Sequence, residues 1–456
     1  MFTLNIDNFR GFTKAVSFDI QKVNILIGEN SGGKSSLIKF LLLLKQSMEV
    51  VNKNKKITLD GHLLDLGTFD NIVNYHSEEK AFSFSLITDN EYSKFFMDTM
   101  IRNEEVPEAQ QSEFQDLCKD FLNKPVTIEF KFNKEDNEVF TNHVAISHET
   151  IGTLKIDVCK HHNGPFATMN DISGKLILNH LKKGLIEIDN KLTVYGFMLF
   201  ANSQIIRNYA RDKDDLQLFR EFAFLLLTQN YLAHILSNVK YINPIDFKPR
   251  RVLLKRDIST NIDIYDYESL VNAFLSLKSS PEVLEQFAQA IHELGIADEI
   301  RLEDHPSAPI LELKARVGDV WSNITDVGFG VGLQIPILLQ ALISQHNKDF
   351  QQLLIVEQPE IHLHPALHAR FIEILVKYAN DVNIIIETHS EHIVRKLQVL
   401  VKQEIVDTTN LKIYYFKNSQ GKFEISEHNV EVSGKLSKPF PKGFYDNSYI
   451  LSTELY

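Results

Sequence analysis

The chain is 456 residues long, 44% hydrophobic and 24% charged, an ordinary globular composition with room for two or three domain-sized units. No uncharged apolar run of about 18 residues occurs and the N-terminus lacks a basic-then-apolar leader, so neither a membrane-spanning helix nor a secretory signal is expected. Cys118 and Cys159 frame neither a disulfide set nor a metal site, which predicts a reduced, cytoplasmic setting, and a net charge of −12 excludes a surface that is wholly a nucleic-acid footprint, leaving room for a local basic groove.

In chain order, FTLNIDNF alternates like a half-buried strand, and VNILIG is a continuous apolar run. ENSGGKSS is a glycine-rich loop, SLIKFLLLLKQSM a helix, and further short strand patterns reach AFSFSLI near residue 87. Beyond residue 91, EEVPEAQQSEFQDLCKDFL reads as an acidic helix, and strand-like pieces then alternate with loops to about residue 190. Residues 193–240 carry helical periodicity, YINPIDFKPRRVLLKR is proline-punctuated and basic, and SPEVLEQFAQAIHELGI is a helix. From about residue 310, strand patterns lead to DVGFGVGLQIPILLQALI, then to the strand LLIVE, the helix ALHARFIEILVKYA and the strand VNIIIETHS. The tail is turn-rich, with aromatics and little helical period. These shifts predict three segments, 1–90, 91–310 and 311–456, the middle one largely helical.

Gly28 to Ser35, GENSGGKS, fits the phosphate-loop pattern G-x-x-x-x-G-K-[ST] between a strand and a helix. Glycines let backbone N–H groups turn onto phosphate oxygens, and the helix start adds its positive dipole end. Lys34 would reach the β- and γ-phosphates of ATP and Ser35 would ligate Mg²⁺. Asn30, Ser31, Gly32, Gly33, Lys34, Ser35 and Ser36 are the candidate nucleotide contacts.

The other half of the site is expected far downstream. Glu357 ends the apolar strand LLIVE, where a carboxylate would hold Mg²⁺. Directly after it, where a second carboxylate often activates water, stands Gln358. Glu360 is either a general base reaching through a turn or an exposed loop carboxylate. His389 lies at the end of the apolar strand, in IIIETHS, and is either a γ-phosphate sensor or a structural histidine. Gly328, Gly330 and Gly332 lie at the start of an apolar helix, where they admit an anion or simply pack a tight turn. Pro336 is expected in that helix's first turn.

Other clusters read less specifically. His362, His364 and His368, with His389 and His392, have spacings that suit metal ligation but lack a cysteine or carboxylate framework. His161-His162 reads as a surface turn. Lys248, Arg250, Arg251, Lys255 and Arg256 form the densest basic stretch, either a solvated face or a contact to DNA or RNA phosphates. Phe440, Phe444 and Tyr445 are either a clasp against the domain or a partner-docking surface.

Together, NFRGF, VNILIGENSGGKSS, DLGTFDNIV, YINPIDF, DVGFGVGLQIPI, VEQPEIHLHP, IIIETHSEHI and PFPKGFYD resemble, in that order, the ABC-type ATPases of the SMC/OLD group. The likeness is to the bacterial AAA-type branch found in anti-phage defence operons, and it touches both chain ends and the last third. It implies an α/β ABC-type head whose P-loop site is formed from both chain ends, with an inserted mainly helical domain. Carried over, Gly33, Lys34 and Ser35 are Walker A and Glu357 is Walker B. Gly328, Gly330 and Gly332 form the signature, His389 is the switch, and Arg10 touches nucleotide. Two heads of such a homodimer sandwich two nucleotides.

Two departures stand out. Gly332 sits where many relatives offer a serine hydroxyl. Gln358 occupies the place of the catalytic glutamate; an amide cannot accept water's proton but can orient water. Slow hydrolysis is the expectation, in a sensor subunit of a Septu-like or retron-associated complex with a nuclease or toxin partner. A DNA-repair or DNA-end-processing ATPase and a non-hydrolysing scaffold are the alternatives.

Overall fold

The computed structural model describes residues 2–49, 57–74, 77–88, 124–135, 138–149, 152–161, 164–168, 193–195, 198–200, 232–244, 247–254, 263–305, 307–347, 352–441, 444–445 and 453–454. The acidic helix expected after residue 91, Cys118, His162, Lys255, Arg256 and most of LQLFREFAFLLLTQNYLAHIL lie outside them. Among the described residues no helix is long and apolar enough to cross a membrane.

Strands and helices alternate in a mixed α/β fold that divides into two units. The first is Met1–Asp19, Ser36–Ser237 and Ser419–Phe423; the second is Ile20–Ser35, Asn238–Asn418 and Glu424–Tyr456. This division cuts across the linear segments 1–90, 91–310 and 311–456, because strand pairing rather than chain order decides which residues pack together.

In the first unit, β1 (Phe2–Asp7) buries alternate residues, as its sequence alternation requires. It lies between β2 (Val16–Ile20) and β4 (Ala81–Thr88) in a seven-stranded sheet continued by β5 (Val126–Glu135), β6 (Glu138–His148), β7 (Gly152–His161) and β8 (Gly164–Thr168). The strand-like pieces expected after residue 91 are thus antiparallel extensions of the N-terminal sheet. His161 closes β7. A Phe9, Phe40, Phe82, Phe84, Phe132 cluster fills the core, with Phe82 and Phe132 stacked at 4.7 Å.

The second unit is built on a six-stranded sheet. The strand that feeds the phosphate loop, β3 (Val23–Gly28), lies in the order β11 (Val239–Ile242), β16 (Leu353–Glu357), β17 (Asn383–Glu387), β3, β18 (Leu411–Ser419), β19 (Lys422–His428). Pairing from β11 through β18 is parallel. All six β3 residues and all five of β17 are buried, the pattern of strands covered on both faces and the reason their centres, ILI and III, are apolar. One N-terminal strand thus sits between strands of the C-terminal third. A smaller antiparallel sheet joins β12 (Leu253–Leu254), β13 (Glu299–Asp304), β14 (Ile310–Val317) and β15 (Val320–Asn323).

The helices follow local chemistry. An Asp266–Ser269 capping box opens Tyr267–Ser276, and Pro281–Leu294 starts on its proline and stops at Gly295, whose φ is 77°. The glycine-rich segment itself winds into helix Phe329–His346, so Pro336 is in the helix interior rather than its first turn. Its ring removes the N–H that the Gly332 carbonyl would otherwise accept.

Candidate active site

Parallel strands deliver their ligand-facing groups at their C-terminal ends, and every central residue of the site in the second unit is placed that way. At the end of β3 the chain turns at Gly28 with φ of 134°; a Cβ there would come within 2.0 Å of the Phe416 carbonyl oxygen. Only glycine fits both conditions. The Glu29 N–H donates to the Phe416 carbonyl at 2.9 Å. Asn418 donates its backbone N–H to Glu29 Oε2 and its side-chain amide to the Ser31 carbonyl, both at 3.0 Å. β18 therefore pins the phosphate loop, a role of Phe416 and Asn418 that no local motif announces.

Lys34 begins the helix Lys34–Glu49. It is 4% exposed and donates to the Glu29 carbonyl at 2.8 Å and the Gly28 carbonyl at 3.2 Å. Burial pushes its ammonium below the usual lysine range, with Glu387 and Glu29 opposing that shift. Ser35 donates its hydroxyl to Glu387, at 2.9 Å to Oε2 and 3.2 Å to Oε1. A curved loop of backbone amides, a lysine and a hydroxyl at a helix start is a donor set that suits polyphosphate and Mg²⁺.

Glu357 and Glu387 are register partners at the ends of β16 and β17. Glu357 accepts the Tyr241 hydroxyl at 2.8 Å. The expected metal pair was Ser35 and Glu357; the structure adds Glu387 as the acid that engages Ser35. The sequence carried a signal for it, since IIIE ends in an acid just as LLIVE does.

Gln358 has φ of 45° and donates its N–H to the Glu387 carbonyl at 2.7 Å. The turn continues through Glu360 to His362, φ 61°, and is anchored by Gln334, which donates to the Pro359 carbonyl at 2.7 Å. Glu360 Oε1 accepts the His389 backbone N–H at 2.7 Å, so the turn after β16 and the segment after β17 are tied together. Its Oε2 is buried with no hydrogen-bond partner, an orphan acceptor of the kind that a water or ligand donor satisfies. The His389 ring is exposed, and partial desolvation lowers its imidazole below the ordinary range; the Lys34 charge adds to this and Glu360 opposes it. His389 is therefore neutral near pH 7, able to donate from one ring nitrogen and accept at the other.

The three glycines expected to form the signature differ. A Cβ on Gly330 would lie 2.5 Å from the His362 carbonyl oxygen, one on Gly332 would lie 3.1 Å from the Pro249 side chain, and one on Gly328 meets open space. Gly330 is thus required by close packing against the Glu360–His362 turn.

The basic stretch supports the same loop. Arg251 pairs bidentately with Asp326, with one bond of 2.8 Å, and Asn323 donates to the Arg251 carbonyl at 2.8 Å. Arg250 pairs with Glu268 at 2.9 Å, and Lys248 is exposed. Two of the expected phosphate-binding cations are therefore engaged with acids.

The histidines have structural partners. His364 caps helix Pro365–Tyr378 through the Ala366 N–H, and His368 bridges Ser390 Oγ and the Leu363 carbonyl. Among the described residues no group of three or more His, Cys, Asp or Glu side chains is arranged to hold a metal ion. Phe440 packs on Tyr415 and His428, Phe444 meets Tyr415 edge-on, Tyr445 stacks on Phe444, and the Tyr445 hydroxyl donates to the Ser390 carbonyl at 3.4 Å; they form a clasp.

Arg10 and Ser36 belong to the first unit. Arg10 has φ of 53°; its N–H donates to the Ile72 carbonyl, its carbonyl accepts from Asn74, and burial lowers its guanidinium. Ser36 is buried.

Comparison with known proteins agrees with this chemistry at the family level. The profile of the AAA ATPase domain, AAA_15, matches residues 1–394. No curated protein matches by sequence. Among solved structures, an SMC head bound to the C-winged helix domain of ScpA is similar at TM-score 0.45 and 14% identity, over 94% of this chain and 97% of that one. The SMC head domain from Thermotoga maritima gives 0.37 and 10%, over 94% and 98%. A Smc head with an extended coiled coil bound to the C-terminal domain of ScpA, from Pyrococcus furiosus, gives 0.41 and 12%, over 100% of both chains. With its profile match covering most of the chain and its phosphate loop set among parallel strands, the protein belongs to the AAA_15 family of AAA ATPase domains.

Proposed function

We propose that this chain is an ABC-type ATPase head that binds ATP with Mg²⁺, dimerises around nucleotide and hydrolyses it slowly. The observation that carries the reading is the convergence of Lys34, Ser35, Glu357, Glu360 and His389 at the ends of β3, β16 and β17. Lys34 would neutralise the β- and γ-phosphates while the loop amides orient them. Bound Mg²⁺ would neutralise further phosphate charge. Neutral His389 would hydrogen-bond the γ-phosphate, and its main-chain link to Glu360 would report that contact to the Walker B turn. Gln358 can orient water without taking its proton. Losing a general base costs about 10²–10⁴ in rate, which is why slow turnover is expected unless Glu360 serves.

Gly328, Gly330 and Gly332 would face the partner head's nucleotide, and within the second unit Asn30, Ser31, Gly32 and Gly33 would complete the nucleotide contacts. The motif order resembles the anti-phage branch, and this supports a sensor or regulatory subunit controlling a nuclease or toxin. The DNA-end-processing alternative draws less support, since Arg250 and Arg251 are paired with Glu268 and Asp326.

The test is ADP production under excess ATP and Mg²⁺ against Lys34→Ala, alongside molecular mass with and without ATP. Wild-type retention of ATP with dimer formation, both lost in Lys34→Ala, is the expected result. Identical behaviour of the two proteins overturns the reading. The defence role is tested by phage challenge of bacteria carrying the chain with its neighbouring genes, where Lys34→Ala should abolish protection.

A further inference from the structure

We propose that Glu387 is the carboxylate that holds Mg²⁺ beside Ser35, and that its clasp on the Ser35 hydroxyl is exchanged for the metal when nucleotide enters. This rests on the ATP-binding reading above and adds a residue to its metal site.

Three observations carry it. Both Glu387 oxygens accept from the Ser35 hydroxyl, at 2.9 and 3.2 Å, so carboxylate and hydroxyl already share the volume where a phosphate-loop serine meets its metal. Glu387 is 4% exposed at the end of the central strand β17, in register with Glu357 on one side and Leu26 on the other. It is thus a buried acid between the Walker B strand and the phosphate-loop strand. Glu357, the expected metal acid, takes the Tyr241 hydroxyl at 2.8 Å.

The charge balance makes the inference specific. A buried carboxylate next to the phosphate loop repels the β- and γ-phosphates, and Lys34 is one cation against several negative charges. A divalent cation between carboxylate and phosphate reverses the sign of that interaction. Mg²⁺ is ordinarily held by one or two carboxylates plus substrate phosphates, and the adjacent Glu387 and Glu357 supply that number. Glu387 would therefore make nucleotide affinity conditional on the metal, opposing free ATP and favouring Mg–ATP.

The experiment is equilibrium binding of a fluorescent ATP analogue to the full chain, in EDTA and across a Mg²⁺ titration, for wild type, Lys34→Ala, Glu387→Gln and Glu357→Gln. Mn²⁺ with nucleotide, followed by electron paramagnetic resonance, reads the metal directly. Wild type should tighten on adding Mg²⁺. Glu387→Gln keeps an acceptor for Ser35 and should bind in EDTA at least as tightly as wild type. Its metal-dependent gain should fall by about 10–100-fold, and bound Mn²⁺ should be lost. A Glu387→Gln protein that keeps the full Mg²⁺ gain and the Mn²⁺ signal overturns the proposal while leaving ATP binding intact. Wild type that binds no nucleotide in either condition brings down the parent reading and this one together. Should Glu387→Gln fail to fold, Glu387→Asp keeps the charge on a shorter arm: reduced Mg²⁺ gain at unchanged affinity in EDTA supports the proposal, and an unchanged gain overturns it.

Discussion

Glu360 accepts the main-chain N–H of His389 through Oε1 at 2.7 Å, while its Oε2 is buried with no hydrogen-bond partner. One oxygen fixes the segment after β17, and the other remains an unmatched acceptor. In the proposed reaction such a carboxylate would take a proton from water. Glu360→Gln should therefore lower kcat by about 10²–10⁴ with ATP affinity retained. Single-turnover hydrolysis with separately measured nucleotide binding checks this; unchanged kcat would assign Glu360 to holding the turn alone.

Gln358 follows Glu357 with φ of 45°, its N–H held by the Glu387 carbonyl at 2.7 Å. Glutamate has the same shape and the same backbone demands, so Gln358→Glu should fold as wild type does. With Glu360 placed as the base, steady-state turnover should stay within about tenfold of wild type. A rise of about 10²-fold or more in measured ADP release would mean instead that the site lacks a base and that Glu360 only holds the turn.

Gly330 and Gly328 give a paired test of the signature loop. Gly330→Ala would press a methyl group against the His362 carbonyl, 2.5 Å away, and should cost about 1–3 kcal/mol in denaturant unfolding. Gly328→Ala meets open space and should stay within about 0.5 kcal/mol. Equal effects would contradict the packing role of Gly330.

Arg251 is tied to Asp326, immediately before the signature. Reversing its charge in Arg251→Glu should reduce ATP turnover several-fold through a displaced signature loop while leaving DNA retention unaltered. Filter binding with duplex DNA, run beside the ATPase assay, separates these outcomes; selective loss of DNA binding would restore the phosphate-contact reading of the basic stretch.

The tail clasp should be acid-sensitive. His428 is buried against Phe440, with a ring-centroid distance of 4.7 Å. Nδ1 is 3.1 Å from the Lys438 carbonyl and Nε2 3.0 Å from Ser426 Oγ, a pairing that suits the neutral Nδ1–H tautomer. Burial lowers its pKa from the ordinary 6.5, against the raising effect of the Lys438 hydrogen bond. The unfolded chain then binds the proton more readily. The contribution to stability is complete above about pH 6.5 and is lost as pH falls through the depressed folded value. Proteolysis of the tail should accelerate on acidification below that point, and His428→Phe should remove the acid dependence.

What the sequence determined by itself was local. GENSGGKS between a strand and a helix, the acid ending LLIVE and the histidine of IIIETHS are each written in a few consecutive residues. The apolar runs ILI in VNILIG and III in NIIIE announced their burial because both faces of a parallel sheet are covered. The tertiary structure decided which of these ends meet. Placing β17 between β16 and β3 put Glu387 on Ser35, and β18 on the other side brought Phe416 and Asn418 to the phosphate loop. Folding likewise spent the charge of Arg251 on Asp326 and made Gly330 a packing requirement. These contacts join residues far apart in the chain, and strand order and register, which no local pattern encodes, set each of them.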